Sequence, residues 1–113
     1  MIVRTWTGWT TDELADGYEQ YMQKVALTGY SAIPGNQGVL MLRRPAGQNR
    51  TEFQMVTLWE SMEAVTAFAG EHPERAVFYP EDDHFLVDRQ WEVCHYEVYG
   101  RTGTLGETQS PGE

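Results

Sequence analysis

Cysteine is nearly missing from this chain. The single Cys94 excludes an intrachain disulfide and leaves no cysteine spacing for zinc. In a strand it reads as a small buried hydrophobe. Positive charge is also scarce: eight Lys and Arg stand against 17 Asp and Glu, a formal net charge of −9. That balance argues against a nucleic-acid backbone or an anionic membrane as partner, because both are polyanions. It selects no basic partner, since an acidic surface also serves solubility. No apolar run approaches the roughly 20 residues that span a bilayer. The opening "MIVRTWTGWT" lacks the apolar stretch and cleavage site of a signal peptide, so the expected location is the cytoplasm. A phosphate loop is absent too: "GWTTDE" has no lysine and "GNQG" lacks the glycine spacing. The acids of "EDDH" resemble a metal cluster, but adjacent side chains diverge and acids favour helix N-termini anyway. No ligand set has convincing spacing, so neither a metal nor an organic cofactor is expected.

What is present suits one globular domain: 113 residues, 41% apolar and 22% charged. The β-branched and aromatic "IVRTWTGW" predicts a strand. Thr10 and Glu13 then have capping-box spacing. Leu14, Tyr18, Met22 and Val25 recur at helical intervals, so a helix is expected over about 12–28. "VLMLRR" and "TEFQMVTLWE" predict two strands joined by the turn "PAGQNR", hence an antiparallel hairpin. Ser61 is a good N-cap for a second helix that ends at Gly70. "HPERAVFYPEDDHFLV" reads as two short helical turns, and "WEVCHYEVYG" as the last strand, about 91–99. The domain is expected to cover residues 1–99, followed by a flexible tail over 100–113.

The order β-α-β-β-α-β is the ferredoxin-like arrangement, α+β, with a four-stranded antiparallel sheet and both helices on one face. Two helices cover only one face of such a sheet, yet both faces carry bulky apolar groups. Phe53, Met55 and Trp59 oppose Val56 and Leu58, and Leu40 and Leu42 oppose Val39 and Met41. An uncovered apolar face marks an interaction site. The simplest occupant is a second copy meeting sheet to sheet, so a homodimer is expected. Val56→Asp or Leu58→Asp should break it.

"MVTLWESMEAVTAFAGE", with the later "FYPEDDHFLVDR" and "HYEV", resembles the antibiotic biosynthesis monooxygenase superfamily, in particular a bacterial branch of it. The resemblance covers roughly residues 1–99. It implies a dimeric α+β barrel with a small-molecule pocket between sheet and helices in each subunit. Relatives include cofactor-free oxygenases of aromatic polyketides, haem-degrading monooxygenases, and isomerases or cyclases. Trp59 matches the family's pocket tryptophan. The catalytic asparagine of the cofactor-free oxygenases falls at Met55, and the axial histidine of the haem degraders falls at Phe78.

The sequence therefore predicts a cofactor-independent, monooxygenase-like enzyme for a small aromatic or polyketide-like substrate. Isomerisation, cyclisation, or non-catalytic binding of a small molecule such as haem are the alternatives. Expected substrate contacts are Trp59, Met55, Tyr18, Met22 and Phe68. Tyr18, Met22 and Phe68 suit a helical core equally well. Trp6 and Trp9 lie on opposite faces of the first strand, so at most one lines the pocket. His95 is the acid/base candidate, since imidazole titrates near neutral pH. Glu97, two residues along on the same strand face, is expected to orient it. Both belong either to the pocket or to the interface.

Overall fold

The computed structural model describes residues 1–103. Strand β1 (Ile2–Thr11) leads into α1 (Asp12–Gly29), and a single 3-10 turn follows. β2 (Asn36–Gly47) and β3 (Arg50–Trp59) form the expected hairpin. α2 (Met62–Ala69), the four-residue α3 (Asp82–Phe85), β4 (Leu86–Arg89) and β5 (Cys94–Glu97) complete the order. All pairings are antiparallel. β1 lies at the centre, with β3 and then β2 on one side and both β4 and β5 on the other. This is the ferredoxin-like α+β sheet, with its fourth strand delivered in two pieces. Among the described residues, no helix is long and apolar enough to cross a membrane.

The division of the last strand corrects the continuous strand expected over 91–99. The backbone between the pieces bonds elsewhere. Ala76 N–H donates to the Trp91 carbonyl at 2.9 Å, and Val93 N–H to the Glu74 carbonyl at 2.8 Å. Gln90 fills the gap on β1: its N–H donates to the Thr7 carbonyl at 2.9 Å, and its side-chain oxygen accepts from Thr7 N–H at 3.1 Å. Within 72–79, residues 74–76 use their backbone groups for this pairing, and the stretch holds one turn, Arg75 N–H to the His72 carbonyl. The stretch expected to give two helical turns thus gives one, α3, and then a strand.

The capping box expected at Thr10 and Glu13 does not form. Thr11 is the N-cap and makes no side-chain cap. The hairpin tip replaces it: Asp12 N–H donates to the Asn49 carbonyl at 3.2 Å, and Thr51 Oγ1 donates to Asp12 at 2.8 Å. Gln48 and Asn49 make that tip at φ of 56° and 60°, the primed-turn geometry that matches strand twist. Ser61 does cap α2, accepting from Ala64 N–H at 3.2 Å.

Alternation sorts the sheet into two faces. Toward the helices point Arg4 and Thr10 of β1 and Phe53, Met55, Thr57 and Trp59 of β3, all buried. Tyr18 of α1 meets Phe53 edge-on at 4.9 Å, and Phe68 of α2 stacks on Trp59 at 5.1 Å. On the opposite face Leu42 and Tyr96 remain 47% and 56% exposed. Cys94 is exposed rather than buried. Of the expected tail, the residues beyond Gly103 lie outside those described.

Candidate functional site

A cleft opens between the helix-facing side of the sheet, α1, α2 and the extended segment over 76–79. It encloses about 500 Å³, counting the part open to solvent, of which about 50 Å³ admits the centre of a water molecule. Trp6 forms one wall and Trp9 faces away. A Cβ on Gly8 would stand 2.4 Å from the Trp6 ring, so only glycine lets that ring lie along the strand. Trp6 Nε1–H donates to the Gln90 carbonyl at 2.8 Å, which fixes the ring. Met22, Met55, Phe68 and Phe78 supply further apolar surface.

Tyr18, Met22, Met55 and Phe68 accordingly line the cleft, as the sequence suggests. Trp59 stands one layer back. It is fully buried, stacked behind Phe68, and its indole N–H donates to Thr57 Oγ1 at 2.8 Å. It shapes the wall through Phe68 and Thr57.

His95 pairs with Arg4 across β1 and β5 and so belongs to the helix-facing side of the sheet. It does not line the cleft; Arg4 stands between. Arg4 Nη1 approaches His95 Nε2 at 2.9 Å. A guanidinium has no acceptor, so the imidazole accepts and carries its own proton on Nδ1. Burial and then the Arg4 charge push the His95 pKa down, with Glu74 offsetting part of the shift. Glu97 lies exposed at the strand end, opposite Ile2. The carboxylate acting on His95 is Glu74, which comes from the 72–79 segment.

Three polar groups of the cleft escaped the sequence reading. Arg4 is 5% exposed and donates to the carbonyls of Pro73 and Arg75, the latter at 2.9 Å. Burial lowers its pKa, yet a guanidinium remains charged. Asp82 is 4% exposed and accepts from Tyr79 N–H at 2.7 Å. Burial raises its pKa, against the Tyr79 N–H and the Arg89 charge. Its neighbour Asp83 points outward to Arg89 at 2.7 Å, so the adjacent acids do diverge, and one of them enters the cleft. Tyr30 is pushed up to about 12, mainly by burial, and burial with the Asp82 charge drives Tyr18 higher still. Both phenols are neutral hydrogen-bond donors at physiological pH. The only signal for Arg4 was a charge alternating with Trp6 on a strand; Asp82 was hidden by the ordinary preference of acids for helix starts.

A ferredoxin-like sheet with a lined cleft beneath its helices defines the class, and solved structures share it. The haem-degrading protein MhuD of Mycobacterium tuberculosis, with two haems in its active site, aligns with a TM-score of 0.62 and 21% identity. That match covers 91% of this chain and 100% of that one. A Deinococcus radiodurans protein described as an antibiotic biosynthesis monooxygenase aligns at 0.62 with 16% identity, over 94% and 100% of the two chains. A Bacillus cereus protein of the same description aligns at 0.58 with 13% identity, over 90% and 96%. The chain thus has the fold of the antibiotic biosynthesis monooxygenases. No family model and no curated protein sequence matches it.

Proposed function

We propose that this chain is a cofactor-independent, monooxygenase-like enzyme that binds a small aromatic substrate in the cleft and works as a homodimer. One observation carries the reading: a single aromatic-walled cleft is lined by a buried carboxylate, Asp82, and by two phenols, Tyr18 and Tyr30, and burial raises the basicity of Asp82. A base held away from water, with hydrogen-bond donors nearby, suits proton removal from an electron-rich phenol or enol. The resulting anion gives one electron to dioxygen. Recombination forms a C–O bond, and the hydroperoxide loses water to leave a carbonyl. One oxygen atom stays in the product and the other leaves as water, so no outside reductant is consumed.

In this reading Asp82 takes the proton. His95 positions Arg4, because its Nε2 lone pair is already engaged there. Glu97 has no part in the chemistry.

Haem, which MhuD binds, is the other ligand the fold brings to mind, and the donor set here does not fit a histidine- or cysteine-ligated iron. Among the described residues no histidine or cysteine lines the cleft, and Phe78 occupies its wall. His95 is committed to Arg4, His72 pairs with Glu74 at 3.6 Å, and His84 packs edge-on to Phe85 at 5.0 Å. Haem titration should produce no Soret shift.

The test is oxygen uptake with hydroxylated naphthalenes and anthrones as substrates. Consumption of one O₂ per product, reduced by about 10²-fold or more in Asp82→Asn, supports the reading. Product formation without oxygen uptake would make the protein an isomerase or cyclase. Binding without turnover would leave a binding module.

A further inference from the structure

The cleft holds a cation without a counter-ion. Arg4 is 5% exposed, and among the described residues no carboxylate lies within ion-pair distance of it. A buried charge left unpaired is costly, and a protein normally neutralises it or pairs it. Three of the five guanidinium N–H groups are engaged, with the Pro73 and Arg75 carbonyls and His95. These bonds fix the group and leave Nε–H and one hydrogen on Nη2 with no partner among the described residues. Donors on neighbouring nitrogens are what a carboxylate takes bidentately. None of the groups holding Arg4 is anionic, so the cation is anchored but not neutralised.

A second orphan lies in the same cleft. Tyr18 is 1% exposed, and its hydroxyl finds no hydrogen-bond partner among the described residues. Along the sheet Arg4 pairs with Thr57, Trp6 with Met55 and Gly8 with Phe53. Tyr18 packs edge-on to Phe53 at 4.9 Å, beyond Trp6 from Arg4, and Asp82 lines the cleft with Tyr18 and acts on it. The cleft therefore has a cationic end at Arg4 and a protic end at Tyr18 and Asp82. Trp6 and Met55 form apolar walls between the two, and Phe68 packs beside Arg4, its ring 5.8 Å from the guanidinium carbon.

We propose that the ligand of this cleft is an aromatic carboxylate that also carries a phenol or enol hydroxyl. Its carboxylate is seated on the free donors of Arg4, and its oxygen at the far end is met by the Tyr18 hydroxyl. This rests on the cleft being the substrate site and adds the chemical class. Anion selection here opposes the field of the whole chain, whose net charge is −9. Any preference for an acid over its neutral counterpart is then a local property of the site.

The probes are 6-hydroxy-2-naphthoate, its neutral 6-hydroxy-2-naphthamide, and 2-naphthoate, titrated calorimetrically into the whole chain at pH 7.5. The hydroxy acid should bind about 10- to 100-fold more tightly than the amide, the span of hydrogen bonds to a charged group. Arg4→Gln should bring the two within about threefold. Tyr18→Phe removes a hydroxyl with no partner, so the fold should tolerate it. It should weaken the hydroxy acid about 2- to 10-fold and leave 2-naphthoate unchanged, the span of a neutral hydrogen bond. Equal binding of acid and amide by the wild-type chain would overturn the proposal while leaving the cleft as an aromatic site. An acid preference that survives Arg4→Gln would place the anion elsewhere and also overturn it. If Arg4→Gln does not fold, the wild-type acid–amide pair and Tyr18→Phe decide. If no probe binds, both this proposal and the substrate-site reading fail.

Discussion

At the scale of single residues, His95 and Asp82 are perturbed in opposite senses. Imidazole is held below its ordinary value by burial and Arg4, so the folded chain disfavours protonating it. The stability His95 contributes is present above its unfolded pKa of about 6.5 and is lost as pH falls. Asp82 is held above its ordinary value by burial. Its contribution is present below about pH 3.9 and is lost as pH rises through the folded value. Melting temperature measured from pH 8 to pH 4 should therefore respond differently to the two substitutions. His95→Asn should flatten the decline below about pH 6.5, whereas Asp82→Asn should raise the neutral-pH melting temperature relative to wild type. A His95→Asn profile that still falls as steeply would mean that burial and Arg4 do not together depress this imidazole.

Among the elements, the start of β2 is tied to α2 by a close approach. Gly35 has φ of 84°, its carbonyl accepts from Glu60 N–H at 2.8 Å, and a Cβ there would stand 2.4 Å from that of Ala64. Gly35→Ala meets both backbone strain and a clash with a helix. It should cost more than about 1 kcal/mol, measured by urea unfolding, and should loosen α2, which carries Phe68 into the cleft. The elements that announced themselves in the sequence are those built on local signals. The period of α1, the Ser61 cap and the turn between β2 and β3 are each decided within a few residues. What stayed illegible was decided at a distance. The Thr10–Glu13 box has the right spacing, yet the hairpin tip some 40 residues on serves the helix end instead. The last strand alternates without interruption over 91–99, yet its first residues, 91–93, pair with residues 74–76. The apolar half of the cleft could be read from helical and strand periods. Its polar half could not, because Arg4 and Asp82 become neighbours of one cavity only through the sheet order.

For the whole molecule, the open face of the sheet sets the expected assembly. Leu42 and Tyr96 lie exposed on it, while Leu58 on the same face is already 2% exposed within one chain. Leu58→Asp would therefore test folding, and Val56→Asp, at a half-buried position, is the sharper probe of a second copy. Sedimentation should find a dimer of the 12.9 kDa chain at micromolar concentration and a folded monomer for Val56→Asp, because a charge in that contact would lack a partner. A wild-type monomer would leave the apolar face without its proposed occupant.

For the proposed site, the gap between β4 and β5 would set how fast a ligand enters. One wall of the cleft, residues 76–79, is neither helix nor strand and hangs on the Ala76–Trp91 and Glu74–Val93 hydrogen bonds beside the grip of Arg4. Such a segment opens locally at less free energy than the β1–β3 ladder that supports the opposite wall. The amides of Ala76 and Val93 should then exchange with solvent well before those of Met55 and Thr57. Association rates for bulky aromatics would follow the frequency of that opening, while slim ones arrive at rates set by diffusion.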